Sequence, residues 1–106
     1  MHDIKAIRAN PDHFTKGWTN RGLDGASLVA AILTADEQTR RVQTETQRLA
    51  SERTNLSKEI GAVKGQGGDA GPLMAQVANI KTDMERLDVE FTDLSAQLNG
   101  YLVSLP

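Results

Sequence analysis

Two long runs of residues space their apolar positions by alternating steps of four and three, and this period constrains the fold more than any other feature. The first passes through Leu28, Ile32, Ala35, Thr39, Val42, Thr46, Leu49, Arg53, Leu56, Ile60 and Val63. The second passes through Leu73, Val77, Ile80, Met84, Leu87, Phe91, Leu94, Leu98, Tyr101 and Leu105. An apolar spacing sustained at about 3.5 residues keeps one seam of a helix facing a partner helix. Between the runs lies Gly65-Gln66-Gly67-Gly68-Asp69-Ala70-Gly71-Pro72. Glycine tolerates positive φ and ends helices, and proline suits a first turn, so this stretch closes one helix and opens the next. A turn this short brings the second helix back alongside the first. The expected fold is all-α, a long two-helix antiparallel coiled-coil hairpin.

The two seams are unequal. Thr39, Thr46 and Arg53 interrupt the first, whereas the second is apolar throughout and carries Met84, Phe91, Leu98 and Tyr101. Small or polar residues facing large ones let a seam interdigitate without voids. The inequality also disfavours self-pairing of either helix, which argues for an intramolecular hairpin over a parallel dimer. Two antiparallel registers, one layer apart, fit the turn, and both stay open. Arg53 in a seam position invites a functional reading. Its packing alternative lays the aliphatic stem on the seam and sends the guanidinium outward to a glutamate.

Ahead of the hairpin, Asp3 can cap a short helix carrying Ile4 and Ile7, and Asn10-Pro11 is a cap followed by a proline at the first helical position. Phe14 and Trp18 then share a face, and Gly22 supplies a stop. Two short helices cannot bury Ile4, Ile7, Phe14, Trp18 and Leu23 alone, so the open end of the hairpin is their expected partner. The chain is thus read as one domain, 1–106. A helical base covers 1–25, a first arm helix capped by Ser27 covers 26–64, a tip turn covers 65–72 and a second arm helix covers 73–105. His2 and His13 match no metal or triad spacing and are assigned surface or structural roles.

Composition excludes several functions. There is no cysteine, hence no disulfide scaffold or thiolate metal site, which fits a cytoplasmic location. No apolar run approaches the roughly 20 residues needed to span a bilayer, so no membrane partner is expected. The tip glycines are not preceded by a strand or closed by Gly-Lys-Ser/Thr, so they do not form a phosphate loop. The acids lie on helix surface with no pocket to raise a pKa, and no nucleophile has a base beside it. The chain by itself is not expected to be an enzyme.

The net charge of −2 hides a local segregation. With Ala35 and Val42 on the seam, Glu45, Glu52 and Glu59 flank it. The outward positions from 40 to 58 are Arg40, Arg41, Thr44, Gln47, Arg48, Ser51, Thr54, Asn55 and Lys58, without a carboxylate, and Lys64 continues the basic character. Such a stripe suits phosphate and ribose contacts. With aromatics at 4%, base stacking contributes little, which favours recognition by shape. An ordinary solvated coiled-coil face has the same composition. From charge alone, a nucleic-acid-binding arm and a protein-interaction or oligomerisation coiled coil without RNA both stay open.

The opening MHDIKAIRANPDHF resembles the N-terminal domain of bacterial seryl-tRNA synthetases, as do Arg21-Gly22-Leu23 and Asn55-Leu56-Ser57-Lys58-Glu59-Ile60-Gly61 followed by Lys64-Gly65. Leu102-Val103-Ser104-Leu105-Pro106 resembles the start of that family's linker to its catalytic domain. The resemblance implies a coiled-coil arm, with short helices at its base, projecting from a class II catalytic domain. That arm reaches across a homodimer to grip the long variable arm and elbow of serine tRNA. The implied partners are serine tRNA, the catalytic domain and the second subunit. ATP and magnesium belong to the catalytic domain, whose three motifs this chain lacks, so no cofactor is expected here. The resemblance places Arg53, Asn55, Ser57, Lys58 and Lys64 in the arm segment near the tip, and the stripe adds Arg41 and Arg48 as tRNA-binding candidates. Thr54 stands where many relatives carry a second arginine, and the tip lacks the lysines that relatives often place there.

Overall fold

The computed structural model describes residues 2–106, which form four helices and no strand. Helix α1 spans Ile4–Ala9, α2 Pro11–Asn20, α3 Gly25–Gly65 and α4 Gly71–Ser104. The Asp3 carboxylate accepts from the Lys5 amide, and the Asn10 side chain accepts from the His13 amide with Pro11 opening α2, as the local sequence requires. α2 ends through Gly22 at φ 84°, with the Leu23 amide donating to the Trp18 carbonyl at 3.0 Å. α3 begins two residues before Ser27. Its cap is Asp24, whose carboxylate accepts from the Ser27 amide at 3.2 Å and from the Ser27 hydroxyl at 2.9 Å. Ser27 therefore supports the cap from inside the first turn.

The residues fall into two units, 1–41 with 92–106 and 42–91. In the first, the start of α3 and the end of α4 meet α1 and α2. Ile7, Trp18, Val29, Ile32 and Leu102 form its core, with Ile4, Phe14, Leu28, Leu33, Leu98, Tyr101 and Leu105 packed around it. The short helices thus bury their apolar faces on the two long ones, as expected, except that Leu23 stays 37% exposed. Gly25 is buried where α3 passes α2, and a β-carbon there would stand 2.2 Å from the Thr15 carbonyl oxygen, so only glycine fits this crossing. The His2 ring lies edge-on to Phe14 and Trp18, and its Nε2 is 2.7 Å from the Pro106 carbonyl oxygen, to which Trp18 Nε1 also donates at 2.9 Å. His2 is structural.

The core of this unit also contains a charge. Asp36 is 2% exposed. Arg8 Nε and Nη2 donate to its two carboxylate oxygens at 2.6 and 2.5 Å, and Arg40 Nη2 stands at 3.2 Å. Such forked contact satisfies both oxygens of a carboxylate withdrawn from water. Thr39, also buried, needs no partner across the seam, because its hydroxyl donates to the Ala35 carbonyl at 2.8 Å.

The second unit is a hairpin. Val42, Leu49 and Leu56 of α3 and Ile80 and Leu87 of α4 are its buried apolar side chains, joined at the turn by Ala70. Thr46 turns its hydroxyl onto the Val42 carbonyl at 2.9 Å. One register is observed. Gln43, Thr46 and Gln47 border the same groove as Asp88 and Phe91, while Leu49 and Glu52 border another with Gln76, Ile80 and Asp83. The turn is tighter than its glycine content suggests. Gly67 takes φ 74°, its amide donates to the Lys64 carbonyl at 3.1 Å, and the Gly68 amide donates to the Val63 carbonyl at 2.9 Å. These paired bonds satisfy the last carbonyls of α3. The Asp69 carboxylate then accepts from the Gly71 amide, which places Pro72 inside the first turn of α4.

Phe91 is half-buried, because a two-helix seam covers a large ring from one side only. Full burial would make Phe91→Ala a loss of about 3–5 kcal/mol. With the open side already wet and no closed cavity left behind, the expected loss is about 1.5–2 kcal/mol, read from urea melts. A loss near zero would remove Phe91 from the seam.

Candidate nucleic-acid interface

Helix geometry separates the seven candidate residues. At about 100° per residue, Arg41, Arg48 and Asn55 fall in one outward row, and Arg53, Ser57 and Lys64 in another that borders the seam, with Lys58 between them. Arg41 lies in the first unit; the other six lie in the second. All seven are exposed.

Their electrostatic states differ. Arg41 Nη2 is 3.4 Å from Glu37 Oε1. Arg48 is held more firmly: Glu45 accepts from its Nη2 at 2.5 Å and its Nε at 3.1 Å, and Glu52 accepts from its Nη1 at 3.2 Å. Donation from Arg48 holds the Glu45 carboxyl below its usual range, and the same bonds raise the Arg48 guanidinium further. The outward positions are free of carboxylates, but flanking glutamates reach back across one turn to this arginine. The basic stripe is thus partly neutralised from within its own helix.

Toward the turn the situation reverses. Arg53, Lys58 and Lys64 form no ion pair among the described residues. The glutamate partner expected for Arg53 is therefore not found; its side chain borders a groove with Thr46, Lys81, Met84, Glu85 and Asp88. This brings in Lys81 of α4, a cation without an ion pair among the described residues, which reading α3 alone does not select. Selecting it requires the register, which the sequence leaves open. The Ser57 hydroxyl donates to the Arg53 carbonyl at 2.9 Å, which leaves it as an acceptor, and the Asn55 side-chain amide has no intramolecular hydrogen bond among the described residues. No group of three or more His, Asp or Glu among the described residues could hold a metal ion. No helix among them is long and apolar enough to cross a membrane.

Comparison with known proteins identifies relatives along the whole chain. The family described as "Seryl-tRNA synthetase N-terminal domain" matches residues 1–106. The serine–tRNA ligase of Paramagnetospirillum magneticum is 43% identical over 106 residues, covering 100% of this chain and 25% of that protein. That of Dechloromonas aromatica is 37% identical over 106 residues, again covering 100% of this chain and 24% of the relative. That of Neisseria meningitidis serogroup B is 36% identical over 108 residues, with 100% and 25% covered. The chain thus spans about a quarter of the length of the curated relatives it matches. Matched from first residue to last, the chain belongs to the seryl-tRNA synthetase N-terminal domain family.

Proposed function

We propose that this chain is the tRNA-binding arm of a serine–tRNA ligase and recognises the long variable arm and elbow of serine tRNA. The observation that carries this reading is the run Arg53, Lys58 and Lys64, cations without ion pairs among the described residues, on one helix of a chain whose net charge is −2. Exposed cations not held in ion pairs release counterions when they meet phosphates, which favours polyanion binding and makes it salt-sensitive. Asn55 adds donors and Ser57 an acceptor suited to ribose and phosphate oxygens. Aromatic residues at 4% offer little base stacking, which favours selection by the shape of the RNA. In this reading, serine activation with ATP and magnesium and transfer to the tRNA belong to a catalytic domain and second subunit in a longer cytoplasmic protein.

The test compares three RNAs in titrations with the longer ligase: serine tRNA, the same tRNA without its variable arm, and one with a changed anticodon. Loss of the variable arm is expected to weaken binding about tenfold or more, equivalent to about 1.4 kcal/mol, and the anticodon change to leave it nearly unaltered. The opposite ranking would refute recognition by the arm. Lys58→Glu with Lys64→Glu should weaken binding of the intact tRNA and lower the salt slope by about 0.7–0.9 for each phosphate that is no longer neutralised.

A further inference from the structure

Arg48 is the one cation of the second unit engaged by two carboxylates among the described residues. Glu45 takes it from one turn before and Glu52 from one turn after, so the three side chains together carry a charge of −1. From residue 53 to 64 the charges are Arg53, Lys58 and Lys64 against Glu59, a sum of +2. The formal charge summed along α3 therefore changes sign, from −1 over residues 42–52 to +2 over residues 53–64.

We propose that Glu45 and Glu52 mask Arg48 and set the inner limit of the RNA footprint on α3, which makes these two glutamates specificity-determining residues. The proposal rests on the arm reading above. Exposed ion pairs are individually weak, so a phosphate is not kept away by the strength of the Arg48 bonds. The negative charge left over keeps it away. Side chains three or four residues apart on a helix sit about 5–6 Å from each other, inside the screening length of about 8 Å at physiological salt. A phosphate that reaches Arg48 therefore also meets both carboxylates with their repulsion only partly screened. Helical RNA presents phosphates along its whole length and would otherwise slide along an uninterrupted row of arginines. With the mask, productive binding is limited to the stretch from Arg53 to Lys64, and RNA without a feature that reaches this stretch gains little.

The full 106-residue chain is titrated with labelled serine tRNA over a range of salt, and circular dichroism checks that helicity is unchanged. Glu45→Gln with Glu52→Gln is expected to tighten binding about three- to tenfold at low salt and to steepen the salt slope by about 0.7–0.9, as Arg48 becomes available to one phosphate. Arg48→Ala alone should change affinity by less than about twofold, and added to the glutamine pair it should abolish the gain. A loss of about fivefold or more from Arg48→Ala alone would show Arg48 already on phosphate and overturn the proposal. No gain from the glutamine pair would do the same. Lys58→Glu with Lys64→Glu separates the two ideas. If it weakens binding while the glutamine pair changes nothing, the mask fails and the arm reading stands. If neither variant changes binding, both fail.

Discussion

Ile32→Ala is expected to destabilise the chain by about 3–4 kcal/mol, a large share of the total for a domain of this size. Ile32 is 0% exposed and sits among Ile7, Trp18, Val29 and Leu102, so side chains from α1, α2 and α4 as well as α3 close around it. A site enclosed on all sides relaxes little when methyl groups are removed, and the residual cavity adds to the lost transfer free energy. Alanine's better helix propensity returns only a few tenths of a kcal/mol. Urea unfolding should show a lower midpoint with an unchanged slope, and Ile32→Val should lose about 1 kcal/mol. A loss below about 1 kcal/mol for the alanine variant would mean that α1 and α2 do not close over α3.

Arg8→Met is the second large effect, expected at about 3 kcal/mol. It strips a carboxylate that is 2% exposed of its forked partner and leaves only Arg40, at 3.2 Å from Asp36 Oδ2. Arg40 is 55% exposed, so its compensation is diluted by water and the expected loss stays at the lower end for broken buried pairs. Replacing both partners, Arg8→Met with Asp36→Leu, should recover most of the stability, because what costs free energy is a buried charge without a counter-charge. A loss under about 1 kcal/mol for the single variant would class the pair with ordinary surface bridges.

The same pair predicts a pH dependence. Hydrogen bonding from Arg8, opposed by burial and helped by the charges of Arg8 and Arg40, holds the Asp36 carboxyl below its ordinary value of 3.8 in the folded chain. A carboxyl depressed by folding contributes stability that is complete above the unfolded value, near pH 4, and lost as pH falls through the folded value. Acid titration of the urea midpoint should therefore show a decline below about pH 4 that Asp36→Asn reduces.

How much of this was legible in the residues depends on how many partners each face has. The heptad steps select Ala35, Val42, Leu49 and Leu56, all buried, because a repeating seam records packing against one neighbour. Val29 and Asp36 escaped the same reading. They are seven apart and each follows a seam residue, Leu28 or Ala35, by one position, on a second flank that α1 and α2 cover. A two-helix pattern carries no record of a third and fourth helix, and an aspartate there reads as solvent-facing until Arg8 is placed beside it. The candidate interface was legible in its residue types and misleading in its charge. The heptad places Glu45 and Glu52 on a flank of the seam, yet their spacing of three and four from Arg48 is itself the signal that they pair with it. Lys81 could not be selected, since which α4 residue borders Arg53 follows from a register that the sequence leaves open.

The turn at Gly67 has a consequence for the order of assembly. His2 Nε2 reaches the carbonyl of Leu105, 103 residues away, whereas the turn's Gly68 amide reaches back only to Val63. Joining chain ends costs entropy that grows with the logarithm of the loop, so the distant bond is roughly 2.5–3 kcal/mol harder to form from an unfolded chain than one five residues apart. Once the turn has formed and the long helices have zipped together, most of that difference disappears, because the ends no longer search freely for each other. Loop entropy alone thus favours the glycine-rich stretch as the starting point of the hairpin, with the contact between His2 and Leu105 closing after it.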